Sequence, residues 1–104
     1  MTAQGTARRR FEEAIHRGHV RDAEVAAREL GGLSLYDALS LCELLAKTDP
    51  ARYERAALRW IQRFVDERLP PLVEVALAAS ALAELRHGHR TVGLETLKRL
   101  VRRG

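Results

Sequence analysis

Apolar residues recur at spacings of three and four along nearly the whole chain, the period of helices buried on one face. Phe11, Ala14 and Ile15 give a first helix over about Ala7 to Arg17, ended by Gly18. Val20, Ala23, Ala26, Ala27 and Leu30 give a second, over about Val20 to Leu30, and Gly31-Gly32 stops it. Ser34 and Asp37 have the spacing of a capping box and open a third, which runs to about Lys47 on a stripe of Leu35, Ala38, Leu39, Cys42, Leu45 and Ala46. The fourth has the clearest start, with Asp49 placed as N-cap and Pro50 at N1, where its missing donor costs nothing. Its inward face is Tyr53, Ala56, Ala57, Trp60, Ile61 and Phe64, and Pro70-Pro71 ends it. The fifth, about Pro71 to Arg86, differs: Val73, Val75, Ala76, Leu77, Ala79, Leu82, Ala83 and Leu85 surround almost its whole circumference. Such a helix is expected at the centre of a fold. After His87-Gly88-His89, a last helix covers about Val92 to Arg102 with Leu94, Leu97, Leu100 and Val101 inward.

Breaks of two to five residues make successive helices antiparallel neighbours. The expected fold is therefore all-α, six helices in three antiparallel hairpins. Composition agrees: Ala, Leu, Arg and Glu dominate, and Thr, Val and aromatics are too sparse for a sheet. At 104 residues, 46% of them hydrophobic and 31% charged, the chain is a single domain, not a disordered one. Residues 1–5 are expected to fray.

A weak periodicity runs through the hairpins. Gly18-His19-Val20-Arg21-Asp22-Ala23, Ala51-Arg52-Tyr53-Glu54-Arg55-Ala56 and a degenerate Gly88-His89-Arg90-Thr91-Val92-Gly93 share the placing of small residues. Their starts are 33 and 37 residues apart, which brackets 34. In this spacing the chain resembles the tetratricopeptide repeat family, which implies a superhelix whose first, third and fifth helices line a concave surface for a partner's peptide or helix. The first helices depart from that family's pattern, with Ala7, Arg10, Phe11 and Ala14 at its large or glycine positions, and no proline falls near Leu35. A compact six-helix bundle stands beside the superhelix as the other arrangement. The segment from Asp49 to Trp60 is also similar to small uncharacterised all-helical proteins of actinobacteria, which implies a bacterial cytoplasmic protein and brings no function with it.

Charge changes the picture more than composition does. The formal net charge is +4, yet residues 1–85 hold 12 basic and 13 acidic side chains. The excess lies in residues 86–104, where Arg86, Arg90, Lys98, Arg99, Arg102 and Arg103 face only Glu95. A second basic feature is a stripe on the fourth helix, Arg52, Arg55, Arg59 and Arg63, of which only Arg63 has acids at a favourable onward spacing. The candidate basic binding face is Arg52, Arg55, Arg59, Arg63, Arg90, Lys98, Arg99, Arg102 and Arg103. Such cations suit phosphates, and equally the C-terminal dipole of a surface helix.

Chemistry is otherwise sparse. There is no phosphate-binding glycine loop, no G-x-S-x-G and no H-E-x-x-H. Ser34, Ser40 and Ser80 have no histidine at an activating spacing, and Cys42 sits on an apolar stripe. His16 with His19, and His87 with His89, form two pairs one hairpin apart, too few ligands for zinc at either place. No catalytic activity, cofactor, metal or small-molecule substrate is expected. No apolar run reaches the length of a membrane span, and no apolar stretch follows the N-terminal arginines as in an export signal, so the cytoplasm is the expected compartment. The reading is a non-enzymatic protein–protein interaction module. It would bind a protein partner through a helical groove or face, or a second copy through the apolar fifth helix at Leu72, Val75 and Ala79. The alternative is a small basic protein that contacts nucleic acid through the arginine stripe and the C-terminal helix.

Overall fold

The computed structural model describes residues 3–87 and 92–103. Among them the chain forms six α-helices and no strand: α1 (Ala3–Arg17), α2 (Val20–Glu29), α3 (Leu35–Thr48), α4 (Pro50–Arg68), α5 (Leu72–Leu85) and α6 (Val92–Arg103). Five of the six starts and stops that the sequence marks are set by local chemistry. At the end of α1, the His19 amide donates to the Ala14 carbonyl at 2.8 Å and the Gly18 amide to Ile15 at 3.2 Å. This pairing needs a left-handed residue, and Gly18 supplies it at φ 78°. Gly31, at φ 80°, closes α2 in the same way, with the Gly32 amide donating to Ala27. Ser34 caps α3 by accepting from the Asp37 amide. Asp49 alone joins α3 to α4: its amide donates back to Leu45, and its carboxylate accepts from the Arg52 amide at 3.3 Å. The α4 helix ends on Leu69, left-handed at φ 46°, because the two prolines that follow cannot extend it. The first helix begins at Ala3, one turn earlier than its apolar pattern indicates; the expected fraying of residues 1–5 lies partly on Met1 and Thr2, outside the described residues.

Each consecutive pair, α1 with α2, α3 with α4 and α5 with α6, is in contact. The α3 helix packs on α1, α2, α4 and α6. One core runs through α3, α4, α5 and α6, built on Leu39, Trp60, Phe64, Leu82, Leu94 and Leu97. A smaller one, Phe11, Ala14, Ala23 and Ala26, holds α1 to α2 and meets α3 at Leu41. The helices form a body of 41 × 27 × 21 Å with a radius of gyration of 13.6 Å.

The central helix is α3, not α5. Only Ala78, Ala81, Leu82 and Leu85 of α5 are buried, whereas Leu72 is 82% exposed and Val73 is 73% exposed. Hydropathy all round a helix reports what it could bury, and a 104-residue chain has too few other helices to cover both sides of this one. Buried polar groups are satisfied. Trp60 Nε1 donates to the Leu35 carbonyl at 2.8 Å and Tyr53 Oη to Leu82 at 2.6 Å. The Trp60 ring also stacks on Phe64 with centroids 5.2 Å apart.

Candidate interaction surfaces

The α4 helix turns about 100° per residue, so Arg52, Ala56, Arg59 and Arg63 fall within one flank about 60° wide. Arg55 lies about 70° from the centre of that flank, exposed, and does not border the groove described next. The structure brings three of the four predicted arginines, Arg52, Arg59 and Arg63, to the rim of one groove between α2, α3 and α4. Its volume is about 270 Å³. Leu33, Ala38, Leu41 and Ala56 form its apolar floor, with Cys42 and Trp60 buried beneath. It runs along the seam where the two cores meet, and the alanines on facing helices leave the space.

The rim charges are not equivalent. Arg52 is paired with Glu24 of α2, and Arg63 with Glu67 at 2.7 Å one turn further on. Both pairs are open to solvent, where such bridges contribute about 1 kcal/mol or less. Arg59 has no carboxylate within ion-pair distance among the described residues. Burial pushes the Cys42 thiol up to about 11, helped by the Glu43 charge, while Arg59 pulls it the other way. A thiol so placed is neutral at physiological pH and is a poor nucleophile.

Among its described side chains, the C-terminal helix does not present its cations together. Lys98 is ion-paired with Glu43 of α3, with only 13% and 8% of the two side chains exposed. Arg102 lies over the Tyr36 ring, 4.6 Å from its centroid, and donates to the Tyr36 hydroxyl at 2.6 Å. Arg99 is exposed. Arg90, His89 and Gly88 lie outside the described residues, and so does the side chain of Arg103. The local spacing that suggests a basic patch carries no information on Glu43, which lies 55 positions away in the chain. Nor does it reveal Glu24 beside Arg52, although Glu24 is an acid on the expected surface of α2.

A second surface is apolar. Leu72 and Val73 at the start of α5, with Leu69 before it, are large side chains in water. Leu77 continues the line along α5, and Ala76, Ala79 and Ala83 are exposed beside it. Val75, expected in the same face, is half-buried. A shallow trough of about 190 Å³ lies between α4 and α5, bordered by Leu58, Ile61, Ala79 and Ala83. It uses the flank of α4 away from the arginines.

Among the described residues, no three His, Cys, Asp or Glu side chains gather as a metal ion needs; His16 and His19 are exposed, and the expected His87-Gly88-His89 pair lies partly outside those residues. No helix among them is long and apolar enough to cross a membrane. In comparisons with known proteins, no family model matches the chain, and no curated protein or solved structure matches it either.

Proposed function

We propose that this protein is a non-enzymatic helical interaction module that docks a protein partner through the exposed face of α5. One observation carries the reading: Leu72, Val73 and Leu77 are large apolar side chains exposed on α5 within about one and a half turns of one another. Single exposed apolar residues are ordinary on any surface, but a contiguous run of large ones marks a face that another molecule covers. Both a distinct protein and a second copy of this chain fit that role. The nucleic-acid alternative draws on Arg52, Arg55, Arg59, Arg63, Arg90, Lys98, Arg99, Arg102 and Arg103. It has less support, because Glu43 neutralises Lys98 and Tyr36 engages Arg102.

The test is site-specific photo-crosslinking in the source cell from position 73, with a probe at the exposed Arg9 as control. The expected result is one discrete product from position 73, absent from the control and lost when Leu72→Glu and Leu77→Glu are introduced. Leu72 is 82% exposed and Leu77 37%, so neither change places a charge in the core, and the purified variant keeps its helical circular dichroism and melts within about 8 °C of the parent. No product, or a product indifferent to the added charges, overturns the reading. The mass of the product distinguishes a second copy from another protein.

A further inference from the structure

We propose that the groove between α2, α3 and α4 is a second, separate binding site, and that its occupant is an acidic amphipathic helix of a partner protein. The site combines two things that such a segment needs. Its floor is apolar and concave, and Ala38 of α3 and Ala56 of α4, both small, line it. Its rim carries Arg52, Arg59 and Arg63 on one flank of α4.

The spacing of the cations selects the class of ligand. From Arg52 to Arg63 is eleven residues, or about 17 Å along the helix axis. A single small carboxylate meets one of these cations. A helix lying along α4 with acids seven and four residues apart meets all three, while its leucines enter the groove at the spacing by which helices fill grooves. Arg59 is the first anchor, since no carboxylate of the described chain holds it. The pairs of Arg52 with Glu24 and of Arg63 with Glu67 are solvent-exposed and can be exchanged for the partner's acids at little cost.

A nucleic acid fits the site less well. Its sugar–phosphate backbone has no aliphatic side chain to enter between Leu33 and Leu41, and the one tryptophan is buried under the floor, so its ring face is not offered for stacking. Charge complementarity sets the sign of the partner, and the apolar floor sets its amphipathic character.

The probe is a synthetic 16-residue peptide with leucines at three- and four-residue spacing and glutamates flanking them, titrated against the intact protein. Trp60 fluorescence reports on the groove floor, and anisotropy of a labelled peptide reports binding independently. The glutamate peptide is expected to bind at least about tenfold more tightly than the same peptide with glutamine at those positions, one tenfold step corresponding to about 1.4 kcal/mol. Arg59→Glu weakens binding at least about tenfold. Arg55→Glu, on the same helix but outside the groove, changes it by less than about twofold. Ala56→Leu fills the groove and blocks binding; should it disturb folding, the exposed Arg59→Glu and Arg55→Glu pair still decides. Equal binding of the two peptides, or equal loss from Arg55→Glu and Arg59→Glu, overturns the proposal. Tighter binding of a single-stranded oligonucleotide or of laurate than of the glutamate peptide also overturns it, in favour of a polyanion or a small amphiphile. The α5 double variant, Leu72→Glu with Leu77→Glu, leaves peptide affinity unchanged, so failure here and failure of the α5 reading are told apart.

Discussion

Replacing Lys98 with methionine separates the two meanings that this residue can have. On a basic surface patch, the change removes a charge and leaves stability within about 0.5 kcal/mol. In the structure Lys98 and Glu43 are almost withdrawn from water, and they join α6 to α3. At about 3 Å and an effective dielectric near 20, the attraction of two unit charges is about 5–6 kcal/mol. Most of it offsets the desolvation of the two ions, so the pair as a whole adds little. Breaking it is another matter, because Glu43 then keeps a buried charge without its ammonium. Such deletions cost about 3–5 kcal/mol. For a domain of this size 1 kcal/mol moves the melting temperature by at least about 4 °C, so Lys98→Met should melt at least about 12 °C below the parent.

Glu43→Leu with Lys98→Met removes both charges and returns stability to within about 1 kcal/mol of the parent, or above it. Urea and thermal unfolding, followed by circular dichroism and Trp60 emission, give the four corners of the cycle, and a coupling above about 2 kcal/mol is expected. A Lys98→Met protein that melts within about 3 °C of the parent refutes the reasoning and returns Lys98 to the basic face.

Two further outcomes follow from other buried groups. Asp37 receives both Nη1 and Nη2 of Arg8 and the Ser34 hydroxyl while nearly buried at the start of α3; Asp37→Asn should therefore lower stability by about 1.5–3 kcal/mol in urea unfolding, the range for hydrogen bonds to a charged group, and a loss under about 0.5 kcal/mol counts against the α1–α3 tie. The Cys42 thiol, whose ordinary value is 9.0, is held at about 11 when folded, so between pH 9 and 11 the unfolded chain releases a proton that the folded chain keeps, and stability falls as pH rises through that window by about 3 kcal/mol. Cys42→Ala should lack this part of the alkaline loss, and a thiol reagent should react with the folded parent far more slowly than with the urea-unfolded chain at pH 8; identical alkaline profiles for parent and variant would contradict the assignment.

What was legible in the sequence is what is decided locally. Gly18, Gly31, Ser34, Asp49 and Pro50 act within one or two turns of themselves, so their spacing places the helix ends to within a few residues. The arginine flank of α4 is equally local and is where periodicity puts it. The misreading of α5 has a different origin. Its apolar residues fix its appetite for burial, but whether cover arrives depends on the number of helices that remain, and α3 takes the centre because it meets four of them. Lys98 and Arg52 could not be judged from neighbours in sequence, since their acids come from α3 and α2 through the fold. The groove floor was invisible for a related reason: Ala38 and Ala56 look like ordinary core positions until two helices bring them to one groove.

The two candidate surfaces share one helix, and the way α4 is held bears on both. Trp60 donates to α3 and Tyr53 donates to α5, from positions seven residues apart on the same inward face. Two buried hydrogen bonds to different helices, two turns apart, fix the rotation of α4 about its own axis. A slip of one residue would turn the helix by about 100° and strand both donors in the core. That same rotation decides which flank carries Arg59 toward the groove and which carries Leu58 and Ile61 toward the α5 trough. The aromatic pair therefore sets the angle between an arginine-rimmed surface and an apolar one. Held at both donors, α4 keeps its two flanks in a fixed relation, and loosening either bond, by Trp60→Phe or Tyr53→Phe, frees both flanks together.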